Sequence, residues 1–299
     1  MLLADHHKIA LTLPGISVTY AQLLASAHSF ARLFAAGTKR VLIFSENRPE
    51  WIYALYAAWC NRSTVVPVDH QATIEEIAFI IRDCQPQVFF CSLERKALLK
   101  EVLAGLDYAP QLLVFEELQP AQEPDLSPIE LVDPQATALL SYTSGTTGTP
   151  KGVMLSFANL LANVEAVTIG TPIYSRDERV LMLLPLHHIL PLLGTMVIPF
   201  RIGATVALSP SLLAKDIVRT LSRPPADLTI RKSILNYWLI IKPYNQPMQT
   251  RPSTPVNHSH SPVTSMAEAK RYPLPQNGHN PKIFFLSNST IEQGITHAV

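Results

Sequence analysis

Ser141-Tyr-Thr-Ser-Gly-Thr-Thr-Gly-Thr-Pro-Lys-Gly152 is the stretch that decides how this chain is read. From Thr143 to Gly152 it carries five aliphatic hydroxyls, three glycines and one lysine. Such a loop can wrap a polyphosphate. Glycines let backbone N–H groups approach closely, hydroxyls donate further hydrogen bonds, and lysine adds a mobile positive charge. The P-loop pattern requires a second glycine five residues after the first, followed by Lys and Ser/Thr. Counting from Gly145 reaches Pro150, and counting from Gly148 reaches Val153. The dinucleotide pattern G-x-G-x-x-G fails as well. The flanks differ from both motifs. Ala136–Tyr142 reads as a short buried strand, and Lys151–Leu155 reads as a second strand instead of a helix. A helix starts only later, with Ser156 as N-cap. The expected phosphate loop therefore joins two strands and has no helix dipole behind it.

Working outward, the first two-thirds of the chain alternates helix and strand signals. Thr19 and Gln22 fit a capping box. Leu23, Leu24, Ala27, Phe30, Ala31 and Phe34 recur at helical spacing, with Gly37 as the stop. Strands are expected at Arg40–Phe44, Thr64–Val68, Gln87–Cys91 and Gln111–Phe115. Helices are expected from Pro49 to Cys60, after a second capping box at Thr73 and Glu76, and from Ser92 to Leu103. Beyond the loop, Arg179–Leu184 and Ala204–Leu208 read as strands and Pro210–Leu221 as a helix. The fold class is α/β, with a mainly parallel sheet. Gln119–Pro134 reads as a surface connection.

Composition narrows the function classes. The chain has 299 residues, a formal net charge of +1 and 16% charged residues, which gives no sign of nucleic-acid binding. Cys60, Cys84 and Cys91 show no metal-binding spacing and read as reduced, partly buried thiols, so a cytoplasmic location is expected. The first residues lack the pattern of a signal peptide. Val180–Phe200 contains no Asp, Glu, Lys or Arg, yet Pro185, Pro191 and Pro199 would break a membrane helix. A buried strand–loop–helix is expected there. Near Ser222 the character changes. Acidic residues fall to Asp227, Glu268 and Glu292, and Gln246–Asn280 is dominated by Pro, Ser, Thr, Asn, Gln and His. The expected division is a partial nucleotide-binding domain over residues 1–222 and a poorly structured tail over 223–299. Within that tail, Ile234–Ile241 reads as a short helix or strand.

The full string Tyr142–Gly152 resembles the signature of AMP-forming adenylate-forming enzymes. Further segments support the resemblance over roughly residues 15 to 222. Val18-Thr-Tyr-Ala-Gln-Leu23 is similar to an N-terminal "TYxxL" element, and Leu184-Pro-Leu-His-His-Ile189 to an "LPLxH" motif. Ser45-Glu-Asn-Arg-Pro-Glu-Trp51 resembles a segment of long-chain acyl-CoA synthetases. The resemblance implies an incomplete N-terminal adenylation domain and a two-step reaction. A carboxylate, a fatty acid or other carboxylic acid, attacks the α-phosphate of ATP with Mg²⁺ assisting, and coenzyme A thiol then displaces AMP. On this resemblance Thr143 contacts phosphate or Mg²⁺. Ser144, Gly145, Thr146, Thr147 and Gly148 cradle the β- and γ-phosphates, and Lys151 supplies mobile charge. His188 lies near the acyl carboxylate, with His187 in the variable place. As residues alone, Lys151 also fits a solvated loop, and a histidine pair in an apolar run also fits a packed core. No third ligand stands at metal-binding spacing.

The later motifs of that family, a "YGxTE" element, a ribose-binding aspartate and the lysine of a small C-terminal domain, are absent. The expectation is a ligase by descent whose activity is impaired, with peripheral membrane contact compatible with a fatty-acid substrate. The alternatives are a non-catalytic fragment that at most binds nucleotide or a partner, and a small membrane protein built on Val180–Phe200. The compositional switch at Leu221–Asp227 suggests a frameshift, insertion or gene-model error.

Overall fold

Short apolar strands that must be covered on both faces dominate the architecture. A computed structural model describes residues 3–4, 7–119, 124–129, 133–143, 150–170 and 174–221. The tail expected over 223–299, including its apolar stretch, lies outside the described residues. The strands are β1 (Ile9–Leu13), β2 (Ile16–Thr19), β3 (Arg40–Phe44), β4 (Thr64–Val68), β5 (Val88–Cys91), β6 (Gln111–Val114), β7 (Thr137–Thr143), β8 (Lys151–Ser156), β9 (Arg179–Met182) and β10 (Thr205–Leu208). The helices are α1 (Tyr20–Ala31), α2 (Pro49–Cys60), α3 (Ile74–Cys84), α4 (Leu93–Leu103) and α5 (Phe157–Glu165). Later come α6 (Ile189–Pro191), a π-helical turn (Leu192–Val197), α7 (Ile198–Ile202) and α8 (Ala214–Leu221).

Six strands form one sheet in the order β6-β5-β3-β4-β7-β8. All neighbours are parallel except β7 and β8. The alternation of side chains between two covered faces explains why β5, and β3 after Arg40, are apolar. Val41 and Ile43, with Val88 and Phe90, join the core formed with α1 and α2. Leu42 and Phe44, with Phe89 and Cys91, join the core beneath α3 and α4. Phe30 stacks on Phe90 at 5.8 Å between ring centres, and Phe90 stacks on Phe115 at 5.7 Å.

The capping boxes at Thr19–Gln22 and Thr73–Glu76 form, and Pro49 occupies the first turn of α2. Ser156 caps α5 with Asn159 as its reciprocal partner. The three cysteines are free thiols. Burial pushes Cys84 up to about 11 and Cys60 and Cys91 up to about 12, which makes them poor nucleophiles.

The α/β class with mainly parallel pairing holds, but the strands divide between two sheets, the second with the order β2-β1-β10-β9. Its first two strands form an antiparallel hairpin through Gly15, whose φ of +90° suits glycine. β1 then runs parallel to β10, with Leu11 opposite Val206. A pairing between such distant segments has no local sequence signal. Helix α1 stops at Ala31, short of Gly37, although Phe34 is still buried. Part of the expected surface connection packs on α1, where Ile129 is buried and the Ser127 carbonyl lies 2.7 Å from His28 Nε2.

The apolar run Val180–Phe200 resolves into β9, a loop that holds Pro185, and helical turns from Ile189 onward that accommodate Pro191 and Pro199. Among the described residues no helix is long and apolar enough to cross a membrane.

Candidate functional site

β7 and β8 place the ends of the phosphate loop. They pair antiparallel, with Thr143 opposite Lys151, Tyr142 opposite Gly152 and Ser141 opposite Val153. The two residues that bound the loop are thus cross-strand partners at the carboxyl end of β7. Thr143 is half-buried and Lys151 is exposed. Ser144, Gly145, Thr146, Thr147 and Gly148 lie outside the described residues. The expected strand–loop–strand arrangement holds for its flanks, and no helix begins at Lys151.

Gly152 lies close against two side chains. A Cβ there would sit 3.0 Å from Leu140 Cδ1 and 3.3 Å from Tyr142 Cζ. The Tyr142 ring covers the bare backbone of its cross-strand partner. Its hydroxyl donates to Asp83 near the end of α3. Burial and that hydrogen bond raise the phenol pKa well above its ordinary value, so the proton stays in place. Trp59 of α2 supports the other end of β7. Its Nε1 donates to the Ala138 carbonyl at 3.1 Å, and its ring meets Phe157 edge-on at 5.6 Å. The sequence does not mark Tyr142 or Trp59 as supports, and an aromatic close to a glycine across a short loop is the one available signal.

The second part of the site follows β9. His187 and His188 sit on the turn that leads into α6. Their Nε2 atoms are 3.0 Å apart and their ring centres 4.0 Å apart. At that distance one nitrogen must carry hydrogen while the other presents a lone pair. His187 Nε2 also lies 3.7 Å from Asp69 Oδ2, and His70 Nδ1 lies 3.6 Å from Asp69 Oδ1. Asp69 and His70 directly follow β4, and β4 and β7 are parallel neighbours with Val65 opposite Leu139. The histidine turn therefore meets the carboxyl end of the same sheet that carries Thr143, the place where open α/β sheets hold ligands.

Electrostatics keep this pair uncharged. Burial, together with the neighbouring charge of His188, pushes His187 down to about 4 against the opposing pull of Asp69. Partial desolvation also lowers His188, the more exposed of the two residues, again opposed by Asp69. At neutral pH the turn offers two imidazoles that can donate or accept hydrogen bonds without adding net charge.

Asn47 follows β3, and in the sequence it stands only within a segment leading into α2. Its Nδ2 donates to the Leu184 carbonyl at 2.8 Å, and its Oδ1 accepts from the Leu186 N–H at 2.9 Å. Its neighbour Arg48 binds Glu50 at 2.9 Å, pairs with Glu116, and lies 5.3 Å over the Phe115 ring. The segment Glu46–Glu50 is thus fixed on both sides, between β6 and the histidine turn.

Among the described residues no group of three His, Cys, Asp or Glu side chains could hold a metal ion. A cation at this loop would have to be carried largely by phosphate oxygens and water, and the half-buried Thr143 stands at the loop's end.

Comparison with known proteins agrees with this layout. The family model of AMP-binding enzymes matches residues 4–227. A sulfoacetate–CoA ligase of Cupriavidus necator is 31% identical over 205 residues, covering 65% of this chain and 40% of that protein. A long-chain-fatty-acid–CoA ligase of Mycobacterium bovis is 29% identical over 187 residues, covering 56% of this chain and 31% of that protein. The crystal structure of ATP-bound MatB from Rhodopseudomonas palustris superposes with a TM-score of 0.65 at 22% identity, covering 74% of this chain and 46% of MatB, a likeness of fold. The chain spans less than half the length of each of these proteins. With the matched region enclosing both strands of the hairpin and the histidine turn, the chain belongs to the family of AMP-binding enzymes.

Proposed function

We propose that this chain carries the phosphate-loop and acyl-side portions of an AMP-forming carboxylate–CoA ligase. The observation that carries this reading is the pairing of Thr143 with Lys151 at the carboxyl end of the sheet that also meets His187 and His188. ATP, a carboxylic acid and coenzyme A are the proposed substrates. The matched ligases act on acids as different as sulfoacetate and long-chain fatty acids, so the acid is proposed at the level of a carboxylate. A fatty acid is the finer proposal, and the segment Ser45–Trp51 supports it.

Attack of a carboxylate on a polyphosphate brings two anions together. Stabilisation must therefore come from donors and positive charge at the phosphate oxygens. Lys151, exposed at the loop's end, would supply mobile positive charge as pyrophosphate leaves. Thr143 would donate to phosphate or hold the cation. Mg²⁺, when bound with the nucleotide, neutralises phosphate charge. Ser144, Gly145, Thr146, Thr147 and Gly148 are proposed as the cradle of the β- and γ-phosphates. The uncharged His188 would hydrogen-bond the acyl carboxylate without trapping it in an ion pair.

ATP–pyrophosphate exchange with a panel of carboxylic acids tests the reading. Acid-dependent exchange that is lost in Lys151→Ala and Thr143→Ala supports it. Nucleotide binding by calorimetry without exchange for any acid would reduce the chain to a binding module.

A further inference from the structure

We infer that Asn47 is a positioning residue that fixes the histidine turn, and so sets where His188 meets the acyl carboxylate. The inference rests on the reading of His188 given above, and the geometry is independent of it. A primary amide offers one donor end and one acceptor end. Asn47 uses both on a single short stretch of backbone, from Nδ2 to the Leu184 carbonyl at 2.8 Å and from the Leu186 N–H to Oδ1 at 2.9 Å. This imitates the paired hydrogen bonds of a neighbouring strand, where β9 has already ended at Met182.

The turn needs such help. Pro185 removes one backbone donor, and the Leu184 side chain is exposed. The Leu186 side chain is fully buried, so the turn passes from surface to core within two residues. The His188 N–H bonds the Pro185 carbonyl at 3.3 Å, which makes the position of His188 depend directly on this turn. The next two residues in the chain hold Asn47 itself. Arg48 is anchored to Glu50 and Glu116, and Pro49 opens α2. The clamp thus transmits the position of β3 and α2 to a turn that belongs to the other sheet.

Aspartate would keep the acceptor but lose the donor, and would set a carboxylate against the Leu184 carbonyl. Glutamine keeps both ends on a longer arm. Alanine removes both.

The test uses hydrogen exchange and ¹⁵N spectra of the imidazoles on the full chain, with wild type, Asn47→Ala, Asn47→Asp and Asn47→Gln. Two ordinary hydrogen bonds correspond to roughly 30-fold faster exchange at the Leu186 amide in Asn47→Ala. The His187 and His188 ring signals should shift, while amides of β4 and β5 keep their protection. Asn47→Gln should restore part of the loss and Asn47→Asp less. Unchanged ring signals and Leu186 protection in Asn47→Ala would overturn the inference. So would a uniform loss of protection across β4 and β5, which would mark Asn47 as a general stabiliser. If Asn47→Ala does not fold, Asn47→Asp carries the same readout. Because none of these signals depends on turnover, a chain without exchange activity would sink the functional reading and leave the clamp intact.

Discussion

The loop-bearing hairpin and the histidine-bearing turn meet at the same end of one sheet, but different physics holds each in place. The hairpin is fixed by the backbone ladder between β7 and β8, with Trp59 behind β7 as its tertiary support. The turn is fixed by a side chain from elsewhere in the chain, Asn47, and by contact with Asp69 after β4. A ladder places residues locally and tolerates exposure, and Val153 and Met154 of β8 are indeed exposed. A tertiary clamp places residues only if its own anchors stand. The difference suggests that damage to the hairpin's chemistry and damage to its framework can be separated, whereas at the turn they are coupled.

The strongest challenge to that contrast is Trp59→Ala, which removes the support behind β7. It should destabilise the protein by about 3–5 kcal/mol in a urea melt. A loss below about 1 kcal/mol would mean that the ladder alone suffices.

Next comes Lys151→Ala. It should lower acid-dependent ATP–pyrophosphate exchange by about 10²–10³-fold, the usual cost of deleting one group that stabilises developing charge. The melt should be unchanged, because Lys151 is exposed. A shifted melt would show that chemistry and framework are not separable at the hairpin.

The turn should respond to pH. His187 falls from the ordinary histidine value to about 4 in the folded chain. The unfolded chain therefore binds more protons between about pH 6.5 and pH 4, and this stabilisation, full above 6.5, is lost as pH falls. About 1–3 kcal/mol should disappear over that window. His187→Gln should flatten the dependence, and a wild-type profile that stays flat would contradict an uncharged His187 in the folded chain.

The smallest effect belongs to Tyr142→Phe. Losing the bond to Asp83 while keeping the ring over Gly152 should cost about 0.5–1.5 kcal/mol in the same melt. A larger cost would mean that the loop end of the hairpin depends on a tertiary anchor besides Trp59.

The contrast between ladder and clamp also separates the legible features from the hidden ones. The α/β alternation, both capping boxes, Pro49 at a helix start and the strand–loop–strand flanks of the phosphate loop follow from local patterns, and the structure has them. The places of Thr143 and Lys151 at the two ends of the loop are legible for the same reason, since their pairing needs only two adjacent strands. Asn47, Asp69 and the bond from Tyr142 to Asp83 are not. Each depends on groups far apart in the chain, and no periodicity of two or 3.6 encodes such a meeting. His187 shows the same limit, because its pairing with Asp69 is visible only once β4 and the turn are side by side.

By itself, the sequence determined the element types and the loop's chemical character, since both come from the residue types present and their spacing. Only the tertiary structure decided that there are two sheets, with β1 paired to β10, and that a half-buried His187 and an exposed His188 stand uncharged on a clamped turn. The physical reason is that register and solvation are properties of neighbours in space. A strand can be recognised alone, but its partner, and the water it loses, are set when distant segments pack.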